Sequence, residues 1–97
     1  MLIRTPDKRK FVNLNNITNI HLFTYKNKNE IRETYPTEIR YNMETENGTL
    51  GIYSSEEKAI KVLDMLQEEY LDANYFNHSG CVMNKVFVMP ADSEVNV

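Results

Sequence analysis

The chain has 97 residues, of which 41% are hydrophobic and 26% are charged, and its formal net charge is −3. This length predicts a single domain, residues 1–97, with one core. No apolar run reaches the roughly 18 residues that a membrane helix needs, and no N-terminal stretch resembles a signal peptide. The single cysteine argues against a disulfide-rich secreted scaffold. We therefore expect a small cytoplasmic globular protein that has no contact with a membrane.

Charge is distributed unevenly along the sequence. Residues 1–40 contain eight basic and four acidic residues, whereas residues 41–97 contain three basic and ten acidic residues. A basic N-terminal region could bind an acidic partner, and the acidic region could bind a basic one. The alternative is that folding intermixes the two halves, in which case the difference has no functional meaning.

The N-terminal forty residues predict short strands. Residues 2–4 and 10–14 flank a Pro-Asp dipeptide that is typical of a turn, and together they predict a first hairpin. Residues 17–25 are rich in apolar side chains and predict a third strand. A polar loop follows, and residues 31–35 either begin another strand or belong to a longer loop.

A second hairpin is predicted before the main helix. Residues 38–44 alternate polar and apolar side chains, which is the period of a half-buried strand. Asn47-Gly48 is the strongest short-range signal for a tight type I′ turn, and residues 50–53 return as the second strand. The side chains expected to face the helix are Ile39, Tyr41, Met43, Leu50 and Ile52.

The main helix is predicted at about residues 55–71. Ser54 and Glu57 have the spacing of a capping box, and acidic side chains fill the first turn. Apolar residues then recur at steps of three and four, which is typical of an amphipathic helix with one buried face. These residues are Ala59, Val62, Leu63, Leu66 and Tyr70.

Residues 72–84 have no clear period and predict a long surface loop. Residues 85–90 predict a short terminal strand, and the polar residues 91–97 are expected to fray. The predicted fold class is α+β, with an antiparallel sheet of about five to six strands packed on one amphipathic helix. The other face of that sheet would be exposed to water or would bind something.

Catalytic and metal-binding signals are weak. His78 and Cys81 are spaced as His-x-x-Cys, but a structural zinc site needs four ligands and no second pair is present. Cys81 with His78 or His21 could form a thiolate pair, yet no oxyanion motif surrounds it. Three glycines cannot build a phosphate-binding loop. We expect a protein that is not an enzyme and that binds no metal or cofactor.

Nucleic-acid binding is one open interpretation. Clustered positive charge on a β-turn can contact phosphates without reading sequence. Tyrosines on a sheet face could add a stacking platform for single strands, although the net charge is negative. The candidate nucleic-acid contacts are Arg4, Lys8, Arg9 and Lys10.

Protein–protein contact is the leading interpretation. Tyrosine and methionine are enriched at interfaces, and an uncovered strand edge can pair with a partner or with another copy. Its simplest form is a homodimer. Each of these side chains could instead be an ordinary core or surface residue. The candidate interaction residues are Tyr25, Tyr35, Tyr41, Tyr53 and Met65.

Three segments also carry a family resemblance. They are IRTPDK at residues 3–8, LGIYSSEEKAIKVLDMLQEEY at residues 50–70 and KVFVMP at residues 85–90. Together they resemble short, uncharacterised proteins of Firmicutes, their phages and mobile elements. Those proteins share a junction of the form LG-x-Y-x-S/T-x-E-x-A-x-x-V-L. Here the matching residues are Leu50, Gly51, Tyr53, Ser55, Glu57, Ala59, Val62 and Leu63.

The resemblance implies a small accessory protein that binds a host protein or a small signalling molecule, and it implies no catalytic residue. We therefore expect a non-enzymatic interaction module, with interference with host defence as a further hypothesis. Two alternatives stay open. One is nucleic-acid binding through the basic N-terminal hairpin, and the other is sequestration of a nucleotide signal in an oligomer interface.

Overall fold

The structure is a computed structural model. It describes the backbone of residues 1–26, 30–78 and 85–97, with side chains for residues 1–26, 32–72 and 85–97. Short 3₁₀ turns follow the second strand at Leu14–Asn16 and the last strand at Asp92–Glu94. The other elements, in chain order, are β1 (Leu2–Arg4), β2 (Phe11–Asn13), β3 (Ile17–Thr24), α1 (Glu30–Thr34), β4 (Thr37–Met43), β5 (Asn47–Tyr53), α2 (Glu56–His78) and β6 (Val86–Val88).

The described strands form two three-stranded sheets. Sheet A has the order β2-β1-β6, and sheet B has the order β3-β4-β5. The predicted α+β class is confirmed, but the single sheet of five to six strands is not what the chain forms. A 3₁₀ turn at Leu14–Asn16 redirects the chain after β2, and β3 pairs with β4 instead. Sheet A is also mixed, because β1 runs antiparallel to β2 and parallel to β6.

The turn of the β4–β5 hairpin does not lie at the Asn-Gly dipeptide. Asn47 and Gly48 belong to β5 and pair with Asn42 and Tyr41, so the chain turns at residues 44–46. Gly48 is required for packing instead. A Cβ atom there would lie 2.6 Å from the Tyr41 hydroxyl oxygen, which is closer than real Cβ contacts.

A bulge in β5 changes which side chains reach the core. Ile39 pairs with Gly51 and Arg40 with Thr49, which leaves Leu50 as the extra residue of the strand. Leu50 is fully buried, whereas Ile52 is exposed on the opposite face. The prediction that Leu50 and Ile52 share one face is therefore wrong.

Helix α2 begins one residue later than predicted and has a different cap. The Lys58 backbone N–H donates to the Ser55 hydroxyl at 3.2 Å, so Ser55 caps the first turn. Ser54 instead donates its backbone N–H and its hydroxyl to Asp92 Oδ1, at 2.8 and 3.0 Å. The predicted capping box of Ser54 and Glu57 is thus replaced by a cap at Ser55 and a bridge to the C-terminal segment.

Two segments predicted as irregular contain helix. The loop expected at residues 72–84 is helical as far as His78, and residues 79–84 lie outside the described part of the chain. The segment expected to be strand or loop at 31–35 is largely the short helix α1. Glutamate and arginine are good helix formers, and they outweigh the weak apolar alternation of that segment.

Both sheets and α2 share one hydrophobic core. The predicted buried stripe of α2 is confirmed at Ala59, Val62 and Leu66, while Leu63 is half-buried and Tyr70 is exposed. These side chains meet inward-facing residues of both sheets. The sheet residues of this core are Ile3, Val12, Ile39, Tyr41, Leu50, Tyr53 and Phe87.

The C-terminal segment docks on the domain and does not fray. Val95 is buried in the core, and the Tyr53 hydroxyl donates to the Pro90 carbonyl oxygen at 2.8 Å. Burial among these groups raises the pKa of Tyr53. The Lys58 ammonium also donates to the Asp92 carbonyl oxygen at 3.0 Å and fixes this segment to α2.

Candidate functional site

The outer face of sheet A carries four exposed apolar side chains side by side. Strand register places Leu2 beside Val86, and Arg4 between Phe11 and Val88. Leu2 is 36% exposed, Phe11 51%, and Val86 and Val88 are each 46% exposed. We call Leu2, Phe11, Val86 and Val88 the apolar face. Contiguous exposed apolar surface of this kind marks an interaction site more often than isolated exposed residues do.

Strand alternation explains how this face forms. Ile3, Val12 and Phe87 point into the core, so their chain neighbours must point outward. In β6 both neighbours are also apolar (Val86-Phe87-Val88), whereas β1 and β2 each supply one apolar neighbour, Leu2 and Phe11, and one polar neighbour, Arg4 and Asn13. A strand that is apolar on both sides usually belongs to a sheet that is covered on both faces. The sequence signal was therefore the unbroken apolar run, which simple alternation does not reveal.

Arg4 lies within the apolar face and leaves its charge without a carboxylate partner in the described part of the chain. Its guanidinium carbon lies 5.0 Å from the centre of the Phe11 ring. Its Nε and Nη2 atoms donate to the Lys8 carbonyl oxygen, at 3.3 and 3.1 Å. These contacts place the guanidinium between the Phe11 ring and the turn, with its charge free for a ligand on this face.

The turn that follows β1 is rigid and borders the apolar face. The Lys8 N–H donates to the Thr5 carbonyl oxygen at 2.9 Å, and Lys8 has a positive φ of 64°. Asp7 Oδ1 accepts hydrogen bonds from the Thr5 hydroxyl at 2.6 Å and from the Arg9 N–H at 3.0 Å. These bonds, led by the one from Thr5, lower the pKa of Asp7 and keep it ionised in the turn.

The predicted basic patch is only partly available. Lys10 donates to the Tyr41 hydroxyl at 2.6 Å and lies 3.6 Å from Glu46 Oε1. The hydrogen bond to Tyr41 raises the pKa of Lys10. Lys8 and Arg9 are exposed at the turn. Of the four predicted nucleic-acid contacts, only Lys10 lies beside a carboxylate, whereas Arg4 is bonded to a backbone carbonyl oxygen and keeps its charge unpaired among the described residues.

Two of the predicted interaction tyrosines are core residues. Tyr41 and Tyr53 are fully buried, and their hydroxyls donate to Glu46 and to Pro90, respectively. Neither ring can contact a partner while the domain is folded. They are buried because each occupies an inward-facing strand position, which corrects the expectation of a tyrosine platform.

The other predicted interaction residues do not form one site. Tyr25 is half-buried against sheet B, and Tyr35 is half-buried beside a cavity of about 310 Å³ that Pro6 and Ile52 also line. Met65 is exposed on α2. The structure therefore does not bring Tyr25, Tyr35 and Met65 together.

The outer face of sheet B is covered by contacts among its own side chains. The Arg40 guanidinium carbon lies 3.8 Å from the centre of the Phe23 ring, and its Nη2 donates to the Tyr25 hydroxyl at 2.7 Å. Glu38 accepts from Arg40 at 3.4 Å and from Thr49 at 2.7 Å. We call Phe23, Tyr25, Glu38, Arg40 and Thr49 the arginine network. Its polar groups are bonded to one another.

The arginine network stabilises the charged form of Glu38, and this lowers the pKa of its carboxyl group. Burial on its own would raise this pKa, but hydrogen bonds from Tyr25, Thr49 and Arg40 and the arginine charge hold it below the usual glutamate value. Glu38 is therefore charged at neutral pH although it is buried.

The described residues contain no site that corresponds to the weak metal-binding and cysteine signals of the sequence. Among them, no group of three or more His, Cys, Asp or Glu side chains could hold a metal ion. His21 Nδ1 lies 2.9 Å from Asn19 Oδ1 on the outer face of sheet B. Cys81 lies outside the described residues, and His78 is the last residue of α2.

No family model, curated protein sequence or solved structure matches this chain. Within the residues that the structure describes, no helix is both long enough and apolar enough to span a bilayer. The function must therefore be argued from the site itself.

Proposed function

We propose that this protein is a non-catalytic, cytoplasmic protein-interaction module. Its apolar face binds a partner segment that combines apolar side chains with carboxylates. The observation that carries the proposal is the adjacency of Leu2, Phe11, Val86 and Val88 on one open sheet face. Covering these side chains removes apolar surface from water, which is the main driving force for association.

The size of the face favours a single segment of the partner. Three strands span about 10 Å across the sheet, and three residues span about 7–10 Å along it. This is the contact area of one amphipathic helix or one extended strand, and it is much smaller than the roughly 800 Å² per partner of a standard interface. Arginine is one of the residue types that dominate binding energy at interfaces, and phenylalanine is enriched there, so Arg4 and Phe11 suit this role.

The charges around the face favour an acidic segment. Arg4 lies within the face, and Lys8 and Arg9 are exposed at the adjoining turn. A carboxylate placed over Arg4 would form a charge-assisted hydrogen bond next to apolar contacts. The hydrogen bonds from Arg4 to the turn hold its guanidinium in place before binding, which lowers the ordering cost of association.

The resemblance to proteins of Firmicutes, their phages and mobile elements supports a biological setting for this proposal. In that setting the partner is a host protein, and binding interferes with host defence. The acidic apolar segment would then belong to a host protein rather than to the same chain.

The direct test places the photoreactive residue p-benzoylphenylalanine at position 11, with a matched control at position 52. Ile52 is similarly exposed but lies on the outer face of sheet B. After irradiation in host cells, mass spectrometry identifies the crosslinked peptide. We expect one dominant protein at position 11, joined through a segment rich in apolar and acidic residues. The same protein should not be captured from position 52.

Two changes to the protein complete the test. Val88→Glu should abolish the crosslink because it adds a carboxylate to a face that binds carboxylates, and Ile52→Glu should leave it unchanged. The proposal fails if positions 11 and 52 capture the same proteins, or if the captured segment is basic.

Nucleic acid and nucleotides give different outcomes in matched assays. Nucleic-acid binding through the turn would show strong salt dependence and would be lost when Lys8, Arg9 and Lys10 are replaced by alanine. Sequestration of a nucleotide would raise the melting temperature with one nucleotide of a panel. Either result, with no protein crosslink at position 11, would replace the present proposal.

A further inference from the structure

Strand β3 forms an open edge of sheet B. The Tyr25 N–H donates to the Pro36 carbonyl oxygen, so this position faces β4. Hydrogen-bonding positions alternate along an antiparallel strand, and the backbone groups of Ile20, Leu22 and Thr24 therefore point away from β4. No described strand pairs with them. The other edge of the sheet differs, because residues 5–10 border a cavity beside β5.

The β3 edge has few of the features that keep natural edge strands apart. Its sequence, ITNIHLFT, contains no Lys, Arg, Asp, Glu or Pro. Edge strands usually carry such residues, or a bulge, to prevent pairing with another chain. Strand β3 has one irregularity, between Ile17 and Asn19, and is regular from Asn19 to Thr24. This regular stretch can accept a further strand.

A groove with mixed polar and apolar surface runs between this edge and α2. Its volume is about 570 Å³, and its walls include Ile17 and Ile20 on β3, and Leu63 and Tyr70 on α2. A strand added to β3 would direct every second side chain toward this groove. The groove and the edge therefore belong to a single surface.

Two exposed apolar side chains of helix α2, Ile60 and Leu71, lie beside the groove, with Gln67 between them. Ile60, Gln67 and Leu71 are spaced by seven and four residues and lie on one side of the helix. Gln67 also lines the groove. Ile60 is 48% exposed and Leu71 is 57% exposed, so the stripe is separate from the buried residues of α2. We call Ile60, Gln67 and Leu71 the helix stripe.

We propose that a second copy of this chain covers this surface. In this dimer β3 pairs antiparallel with β3 of the other copy, and the two sheets join into one of six strands. A twofold axis between the β3 strands places both α2 helices on the same face, with each helix stripe turned toward the other. One symmetric contact then satisfies the strand edge, the groove and the stripe together.

The expected affinity follows from the size and charge of the surface. The regular part of the β3 edge, residues 19–24, is about 20 Å long at about 3.3 Å per residue, and the helix stripe is about 17 Å long at about 1.5 Å per residue. Such a patch is at the small end of specific interfaces, so we expect a weak dimer. Asp64 lies one turn from Ile60 on α2. In the dimer, the Asp64 carboxylates of the two copies face each other across the twofold axis and repel. Added salt should therefore strengthen the dimer.

Sedimentation equilibrium over a wide concentration range tests this dimer, with Leu71→Lys as the disrupting variant. We expect this change to weaken the dimer at least about tenfold, since it places a charge in an apolar contact. The matched control is Met65→Lys, which makes the same charge change at an exposed position roughly opposite Gln67 on α2. Asp64→Asn should have the reverse effect and strengthen the dimer by about threefold.

Hydrogen exchange locates the interface independently of the variants. The amides of Ile20, Leu22 and Thr24 should exchange slowly only at high protein concentration, whereas those of His21 and Phe23 should be slow at every concentration. The dimer is disproved if the chain stays monomeric or if Leu71→Lys and Met65→Lys have equal effects. Protection of Ile20, Leu22 and Thr24 in the monomer would also disprove it, because another segment would then cover the edge. Phe11→Ser should leave the dimer intact, so this inference and the proposed function can fail separately.

Discussion

The outer faces of sheets A and B each hold a phenylalanine with an arginine over its ring, but the two arginines have different polar partners. On sheet B, Arg40 lies over Phe23 and binds the Glu38 carboxylate and the Tyr25 hydroxyl. On sheet A, Arg4 lies over Phe11 and binds the Lys8 backbone carbonyl. Within the described residues, Arg4 has no ion pair.

This difference separates a structural contact from a binding surface. The arginine network pairs its buried charges, so removing one member leaves another without its partner. The apolar face has no such requirement, because its side chains are half in water and its arginine is bound to backbone. We infer that the polar groups on the outer face of sheet B are satisfied by its own side chains, whereas the outer face of sheet A is open to a partner.

The largest expected effect tests whether the two sheets share one core. Ile3 of sheet A and Ile39 of sheet B are both fully buried. Ile3→Ala and Ile39→Ala should each lower the free energy of unfolding by about 2–5 kcal/mol. Urea denaturation should show one cooperative transition in both variants, with Ile52→Ala as the exposed control. A separate early transition in Ile3→Ala alone would show that sheet A unfolds by itself.

The second prediction compares the two arginines directly. Arg40→Leu should lower the free energy of unfolding by about 1–3 kcal/mol, because the buried Glu38 loses its charged partner. Arg4→Leu removes exposed hydrogen bonds to one carbonyl, and its cost should be about 0.5 kcal/mol or less. Urea denaturation of both variants at pH 7 measures the difference. Equal costs would mean that the two faces are not distinct.

The third prediction concerns pH. The pKa of Glu38 is held below the usual glutamate value of 4.5, so the charged form is stabilised in the folded state. Its contribution to stability is fully present above the unfolded pKa and is lost as the pH falls through the lower, folded pKa. Stability of the wild type should therefore decrease below about pH 4.5. Glu38→Gln should decrease less steeply over the same range, as measured by urea denaturation at a series of pH values.

Asp92 is a second carboxylate that should contribute to the acid sensitivity. Burial alone would raise its pKa, but hydrogen bonds from Ser54 and the charge of Lys58 lower it overall. Asp92→Asn should therefore also reduce the acid sensitivity, and its effect should add to that of Glu38→Gln if the two sites are independent. An acid profile that Glu38→Gln leaves unchanged would contradict a charge-stabilised arginine network.

The parts of the fold that the sequence predicts are those that depend on neighbouring residues. The apolar period of α2 places Ala59, Val62 and Leu66 in the core, as expected. The pairing of β1 with β6 joins residues from opposite ends of the chain and has no local signal. Gly48 is similar, because its close contact is with the ring of Tyr41 on the neighbouring strand. An Asn-Gly pair therefore predicts a turn only when no packing contact requires the glycine.

The candidate site was harder to predict than the fold. Residue type suggested Tyr41 and Tyr53 for an interface, but their strand positions place both in the core. The apolar face comes instead from Leu2, Phe11 and Val86, which a sequence pattern assigns to a buried strand. Whether one face of such a strand is exposed depends on how many layers pack on the sheet. The number of layers is a property of the whole chain and cannot be read from one strand. The basic turn was identified, although Lys10 is tied to Tyr41.

The smallest expected effect on stability belongs to Val88→Thr. This variant should separate binding by the apolar face of sheet A from the stability of the fold. Val88→Thr keeps the β-branched shape and replaces one exposed methyl group with a hydroxyl. We expect the free energy of unfolding to change by no more than about 0.5 kcal/mol, because the side chain is already in contact with water. Binding should nevertheless weaken, because the hydroxyl must lose its water when a partner covers the face. Thermal unfolding and crosslinking yield from position 11, measured on the same preparation, check both statements. A large loss of stability would mean that Val88 supports the fold, and that the apolar face of sheet A is as structural as the arginine network.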